Sequence, residues 1–490
     1  MSLIATNTIS QGGARKGGLE VILSEKSEVS YAVSSMKWPG LASVEISLVV
    51  IQKFPVSLLK KELDGEAVNY IDSHLSSDKN VVVDEKPFAI LNNSDDVSIG
   101  TFVSGLGFIL TAEQATLLLE SNANNAEVIR PYFNGSDLNN LIGNEVRRWV
   151  INFKNWPLRR LSYSEWDELT NIQKEDIVSR LRKGLFVSLA NPEYGGPVAN
   201  DYPECLQIIE RLVKPERLLL KDAASKEKWW LHARSRPELY KKLSSLSRTL
   251  VIARTSKTLA FDFRETDVIF NDNSTVIPID KSHMFSVLQS NLHISWIWQY
   301  CTTMKTDPIY GPVEVFHNFP FPDFNSEHCI ALDKIGENYH NYRKELTCDL
   351  RLGLTDTYNL FHTPDLTPTA LAKAAKLTSE TTARAAELLQ RLLHLRELHR
   401  QLDEAVAIAY GWSDLPLAHG FHEQDYLPEN DRTRYTISPA ARREVLRRLL
   451  QLNHEIHAQE VAEQTALAAA AKAAKPARKS KDQATAPLPL

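Results

Sequence analysis

The chain has 490 residues, 43% apolar and 24% charged, globular proportions that exclude wholesale disorder and allow about three domains. No run approaches the ~18 consecutive apolar residues of a membrane span, and no basic-then-apolar leader is present, so a soluble cytoplasmic protein without membrane contact is expected. Four scattered cysteines (Cys205, Cys301, Cys329, Cys348) make neither a disulfide scaffold nor a zinc knuckle, and the formal net charge is -5.

Leu3-Ile4-Ala5 reads as a strand end, followed by polar Thr6-Asn7-Thr8 and the loop Gln11-Gly12-Gly13. A helix-compatible stretch at 19–23 precedes a strand at 29–33, a break at Trp38-Pro39-Gly40, and a continuous β-branched strand at 44–51. Strand, helix, strand, strand is the pattern of an α/β sheet, but such sheets have about five or six strands. Roughly three are visible, so the sheet is completed either later in the chain, where no βαβ run is seen, or by another polypeptide.

Residues 64–327 mix short strands, turns and aromatic clusters. Helices are expected at 111–120 and 236–246, and strands at 149–153, 250–253 and 268–270. Seven of the nine tryptophans lie between Trp149 and Trp298, which marks this stretch as one irregular α+β domain. After Pro364 the composition turns to Ala, Leu, Arg and Glu. Leu388, Leu392, Leu395, His399, Leu402, Val406 and Ala409 form one stripe of a helix ending near Tyr410, with Gly411 just beyond. A second helix starts at Ser438-Pro439 with the stripe Val445, Leu449, Leu452 and Ile456, predicting a helical hairpin. The Ala/Lys/Pro-rich end reads as a disordered basic tail.

Charge is unevenly placed. Between Cys205 and Arg264, 14 Lys/Arg stand against 6 Asp/Glu, a local excess of +8 that leaves the remainder at -13. A basic block in an acidic chain suits a nucleic-acid groove; the alternative is a solvated helical face whose charges pair within the fold. Gly105-Leu106-Gly107 lacks the third glycine of a nucleotide loop and reads as an ordinary turn. A lysine-containing phosphate loop, a serine elbow, H-E-x-x-H and a paired-carboxylate motif are all absent from the sequence. His283 and His293 have no partner at ligand spacing and read as partly buried surface histidines, so no metal site is expected.

Several phrases become informative only as an ordered set. They begin with Thr6-Asn7-Thr8-Ile9-Ser10-Gln11-Gly12, Trp38-Pro39-Gly40 and Ser104-Gly105-Leu106-Gly107-Phe108. Pro131-Tyr132-Phe133-Asn134-Gly135-Ser136-Asp137-Leu138-Asn139, Arg148-Trp149-Val150-Ile151-Asn152-Phe153 and Val213-Lys214-Pro215-Glu216-Arg217 follow. Then come Trp229-Trp230, Arg254-Thr255-Ser256-Lys257, Phe316-His317-Asn318-Phe319-Pro320-Phe321-Pro322 and Ala409-Tyr410-Gly411-Trp412-Ser413-Asp414-Leu415. In this order and spacing the chain resembles, to about Asn453, the C-terminal portion of adenine-specific DNA methyltransferases. The nearest are the MmeI-like proteins of restriction–modification and related phage-defence systems.

The resemblance implies an α+β multidomain protein. Residues 1–63 would be the end of a Rossmann-like methyltransferase sheet, 64–327 a target recognition domain, 328–460 a C-terminal helical segment and 461–490 the tail. It implies that Trp38, with Met36 in the same turn, stacks on a flipped-out adenine; packing as a core plug is the alternative. Arg234, Arg236, Arg254, Ser256 and Lys257 are the expected DNA contacts, with Lys241, Lys242 and Arg248 gripping phosphates. Trp229, Trp230, Phe319 and Phe321 are expected in the core.

One departure is decisive for the catalytic reading. The N-P-P-Y loop of these enzymes is absent; Asn191-Pro192-Glu193-Tyr194 and Asp201-Tyr202-Pro203 lack its double proline. The glycine-containing turn that binds S-adenosylmethionine is missing too, so no catalytic residue is expected in this chain. The expectation is the target-recognising half of an adenine methyltransferase, binding double-stranded DNA. S-adenosylmethionine would be held mainly by an N-terminal methyltransferase half supplied elsewhere. The alternative is a non-enzymatic DNA-binding module or an inactive fragment of such an enzyme.

Overall fold

The computed structural model describes residues 1–10, 12–40, 44–53, 60–77, 86–93, 97–143, 145–377, 382–424, 427 and 431–473. Five strands, β1 (Ser2–Thr6), β2 (Glu28–Lys37), β3 (Glu45–Gln52), β4 (Lys61–Leu63) and β5 (Glu66–Val68), form a sheet in the order β1-β3-β2-β4-β5. Val29, Ala32, Val49, Ile51 and Leu63 bury one face of it against Leu19 of the helix Leu19–Ser24, with Ile71 and Leu75. The expected strand–helix–strand–strand order holds. Two expectations change. Neighbouring strands are antiparallel except β2 and β4, and the sheet reaches five strands within the described residues. Its last two strands straddle the domain boundary expected at residue 63. They are joined by Asp64-Gly65, both at positive φ, the two-residue hairpin turn that an Asp-Gly pair favours.

The middle of the chain builds two four-stranded sheets. One has the order β13-β12-β15-β6 and the other β14-β8-β9-β7. Their strands are β6 (Ser98–Ile99), β7 (Ile109–Thr111), β8 (Ile129–Phe133) and β9 (Arg148–Ile151). After a small parallel pair, β10 (Arg159–Arg160) and β11 (Leu189–Ala190), come β12 (Arg248–Ala253), β13 (Asp262–Glu265), β14 (Ile269–Phe270) and β15 (Ser274–Ile277). Leu250, Val251, Ile252 and Ala253 are all buried, as an apolar run between two neighbouring strands requires. Gly105 and Gly107 form the expected turn: Gly105 sits at φ +152, and a Cβ on Gly107 would come within 2.5 Å of Leu212 Cβ.

The largest core runs from Leu250 and Ile252 through Phe285, Trp296 and Leu346 to Leu392, Leu402 and Leu449. The expected boundary at 327 therefore cuts through shared packing. All seven residues of the predicted stripe, Leu388 through Ala409, are buried on the helix Thr382–Ala409. The hairpin expectation is corrected. Thr382–Ala409 packs chiefly on the helix Ser326–Leu350, while Pro439–Ala473 packs chiefly on Asn291–Tyr300. An apolar stripe fixes which face of a helix is buried but not what buries it. Between the two helices stands a β-hairpin, Gly420–Glu423 with Thr433–Thr436. The last helix runs to Ala473, into the segment expected as tail; residues 474–490 lie outside the described residues. Among the described residues no helix is long and apolar enough to cross a membrane.

Candidate nucleic-acid interface

Two of the expected DNA contacts flank β12: Arg248 opens it and Arg254 immediately follows it. At its C-terminal end, Arg254 N donates to Asn273 O at 2.8 Å and Arg254 O accepts from Tyr310 N at 2.7 Å. Next to it in the sheet, Gly100 N donates to Ser274 O at 3.0 Å, and Arg236 Nε reaches Gly100 O at 3.4 Å. Arg236 and Arg254, 18 positions apart in sequence, therefore lie toward the same end of the sheet. Arg234 joins them: its backbone exchanges hydrogen bonds of 3.0 and 3.1 Å with Phe102, and its side chain is exposed. Arg236 caps the helix Pro237–Leu243 in the left-handed region at φ 54, a conformation costing about 1–3 kcal/mol for a non-glycine residue. Lys241 and Lys242 are exposed in the last turn of that helix, where its dipole favours cations.

Ser256 and Lys257 continue from Arg254 into a cleft of about 740 Å³. Its walls are the 255–259 loop, the helix Gly135–Asn140, the 355–362 stretch and the C-terminal hairpin, which contributes Arg434 and Tyr435. Ser256 Oγ accepts from Asn139 Nδ2 at 2.9 Å and from Thr258 N at 3.0 Å. Lys257 Nζ pairs with Asp431 Oδ2 at 2.8 Å, with both side chains about one-third exposed. Such a pair contributes at most about 1 kcal/mol, so a phosphate can displace the carboxylate cheaply. Arg254 is half-buried, and its Nε is a buried donor without an acceptor among the described residues. Buried donors are normally satisfied, which makes this one a candidate for a ligand oxygen or ring nitrogen.

Arg248 departs from the phosphate-grip expectation. It opens β12, roughly 20 Å along the strand from Arg254 at ~3.3 Å per residue. Its Nη2 lies 2.8 Å from Glu337 Oε2 and 3.0 Å from Ser282 Oγ, and its Nε donates to Asp280 O at 3.2 Å. The Arg248 guanidinium in turn draws the Glu337 carboxyl down to about 2. Arg217, also of the basic block, is buried and donates to Ser104 O, Val103 O and Leu231 O. The block is thus part internal scaffold and part exposed charge, and both readings of its composition apply to different residues.

Trp38 is 40% exposed, beside Met36 at 36%, so it is not a core plug. Trp229, Trp230 and Phe319 are buried and Phe321 packs against the largest core, as expected. His293 is more deeply placed than a surface histidine: burial lowers it to about 3, and its Nε2 sits 3.0 Å from Tyr310 OH. His283 Nδ1 lies 3.1 Å from Asp333 Oδ1. Asn139, Asp431 and Arg434 went unnoticed in the sequence as site residues. Asn139 closes the phrase starting at Pro131, but nothing local signals that Asp431 and Arg434 return to the 255–259 loop.

Residues 199–323 match the family model of the MmeI target recognition domain. That stretch contains Arg234, Arg236, Arg254, Ser256 and Lys257. A structure of MmeI, a type IIL restriction–modification enzyme in complex with DNA, superposes with a TM-score of 0.57 at 16% identity. The superposition covers 93% of this chain and 50% of MmeI, so the chain spans about half that enzyme's length and shares its fold over that half. The type IIG restriction endonuclease BpuSI aligns at 11% identity over 84% of this chain and 47% of its own, with a TM-score of 0.29, at which no common fold is inferred. No curated protein sequence matches the chain. The resemblance to MmeI-like proteins read from the ordered phrases is borne out by the domain match and the MmeI fold.

Proposed function

We propose that this chain is the DNA-recognising part of a site-specific DNA methyltransferase of a restriction–modification or phage-defence system. The observation that carries the reading is the overlap between the recognition-domain match at 199–323 and the sheet end near which Arg234, Arg236 and Arg254 lie. Arginines at such an end can read guanine through O6 and N7, while Lys241 and Lys242 suit phosphates. The partner is double-stranded DNA.

The finer reading is methylation of an adenine amino group. A strand-end cradle for S-adenosylmethionine would be expected at the carboxyl ends of parallel strands. The N-terminal sheet does not fit one: its parallel pair, β2 with β4, ends where β4 turns back through Asp64-Gly65 into β5. The cofactor then belongs to an N-terminal catalytic half. β1 is an edge strand, and Ile4 on it is 65% exposed, which suits addition of further strands from such a half. The exposure of Trp38 supports a role in stacking on an extrahelical adenine.

The test is methyl transfer from labelled S-adenosylmethionine to DNA, by this chain alone and together with a catalytic half, alongside salt-dependent duplex binding. Transfer only with the partner supports the proposal. Binding without transfer in either case makes the chain a non-enzymatic DNA-binding module. Absence of salt-sensitive binding overturns the DNA reading itself.

A further inference from the structure

The floor of the 740 Å³ cleft carries a hydrogen-bonding pair that the fold does not use up. Asn139 is 6% exposed, and its Nδ2 donates to Ser256 Oγ at 2.9 Å. Ser256 Oγ also accepts from Thr258 N at 3.0 Å. Two accepted bonds fill the lone pairs of a hydroxyl, leaving its own hydrogen to donate elsewhere. Asn139 Oδ1 is buried and accepts from no group among the described residues. Both residues line the cleft, Asn139 with an unused acceptor and Ser256 with an unused donor.

We propose that Asn139 is a specificity-determining residue whose Oδ1 accepts the exocyclic amino hydrogen of an adenine, while Ser256 Oγ–H donates to the adjoining N7. The inference rests on the DNA reading above and names the base that this part of the site selects. Adenine alone sets an amino donor beside a ring acceptor on its major-groove edge. Guanine presents two acceptors there, one of which would face Asn139 Oδ1. Thymine presents a carbonyl and a methyl group, and cytosine an amino group without the neighbouring acceptor. An asparagine usually reads adenine with both ends of its amide. Here Ser256 holds the Nδ2 end and supplies the donor in its place.

The full chain is used to select from duplexes with a randomised interior, and the bound pools are sequenced. The wild-type protein is expected to enrich an adenine at one position, and Asn139→Ala to lose about 5- to 150-fold discrimination at that position alone. Ser256→Ala should weaken the same position. Asn139→Asp replaces the Nδ2 donor with a second acceptor that takes up the Ser256 hydroxyl hydrogen, so it should diminish the adenine preference at that position while binding all DNA more weakly. If folded Asn139→Ala and Asn139→Asp enrich the wild-type sequence with undiminished discrimination, Asn139 does not read a base. If Asn139→Ala fails to fold, the Ser256→Ala and Asn139→Asp profiles decide in the same way. A wild-type pool without any enriched sequence overturns the DNA reading rather than this residue's part in it.

Discussion

Arg248 Nη2 meets Glu337 Oε2 at 2.8 Å while its guanidinium covers the Phe263 ring at 3.9 Å. The pair fastens the start of β12 to the helix Ser326–Leu350. Arg343 repeats the fastening from that helix, reaching Asp262 Oδ1 on β13 at 3.1 Å. One strand is thus flanked by two arginines in different settings: Arg248 opens it and holds the sheet to the helices, and half-buried Arg254 follows its opposite end.

Arg248→Ala is expected to lower stability by about 1–3 kcal/mol through lost stacking and charge-assisted hydrogen bonds. Denaturant unfolding measures this, and the salt dependence of DNA binding should stay unchanged. A salt slope reduced by about 1 at unaltered stability would instead restore Arg248 to the phosphate contacts.

Arg254→Ala should behave in the opposite way, weakening binding to a selected duplex by about 1–3 kcal/mol with little loss of stability. Lys257→Ala should weaken binding less, because Asp431 already neutralises the ammonium. Competition binding against unrelated duplexes separates the cases. A loss confined to the selected sequence marks a base contact, and a uniform loss marks a phosphate.

Acid should destabilise the fold before its carboxylates protonate. Burial holds His293 at about 3 and His232 at about 4 in the folded protein, against an ordinary 6.5. Both are depressed bases, so the unfolded chain binds their protons first. The stability they confer is complete above pH 6.5 and is lost as pH falls toward 4 and 3. Between pH 6.5 and 5 each contributes a drop of about 2 kcal/mol. His293→Phe should make unfolding free energy measured over this window shallower, at the cost of leaving the Tyr310 hydroxyl unpaired.

Trp38→Ala should impair methyl transfer by the assembled enzyme far more than duplex binding, with a stability change below about 1 kcal/mol at so exposed a site. Equal losses in transfer and binding would identify a folding defect and remove Trp38 from the site.

How legible this was depended on the range of the determining contacts. The β-branched run that became β3 and the periodic stripe from Leu388 to Ala409 announce themselves because local burial sets them. Partners set by distant residues did not. The stripe could not reveal that its main neighbour is Ser326–Leu350, nor could Arg248 reveal an acid 89 residues away. Lys61-Glu62-Leu63 was hidden as a strand because its charges outweigh its single buried leucine. The cleft escaped for the same reason, since the 255–259 loop and Asp431 are joined only by the fold. The charge excess did fall within the recognition-domain match, yet it could not separate buried Arg217 from exposed Arg234.

The core that joins Leu250 to Leu449 also sets how this protein could be re-engineered. A cassette cut at residue 323 and moved into another scaffold would leave Phe285, Trp296 and Phe316 without the leucines of Thr382–Ala409 and Pro439–Ala473. A transplantable unit has to take those helices with it. If Asn139 and Arg254 read bases as proposed, exchanging single side chains around them would disturb far less of the molecule than exchanging domains.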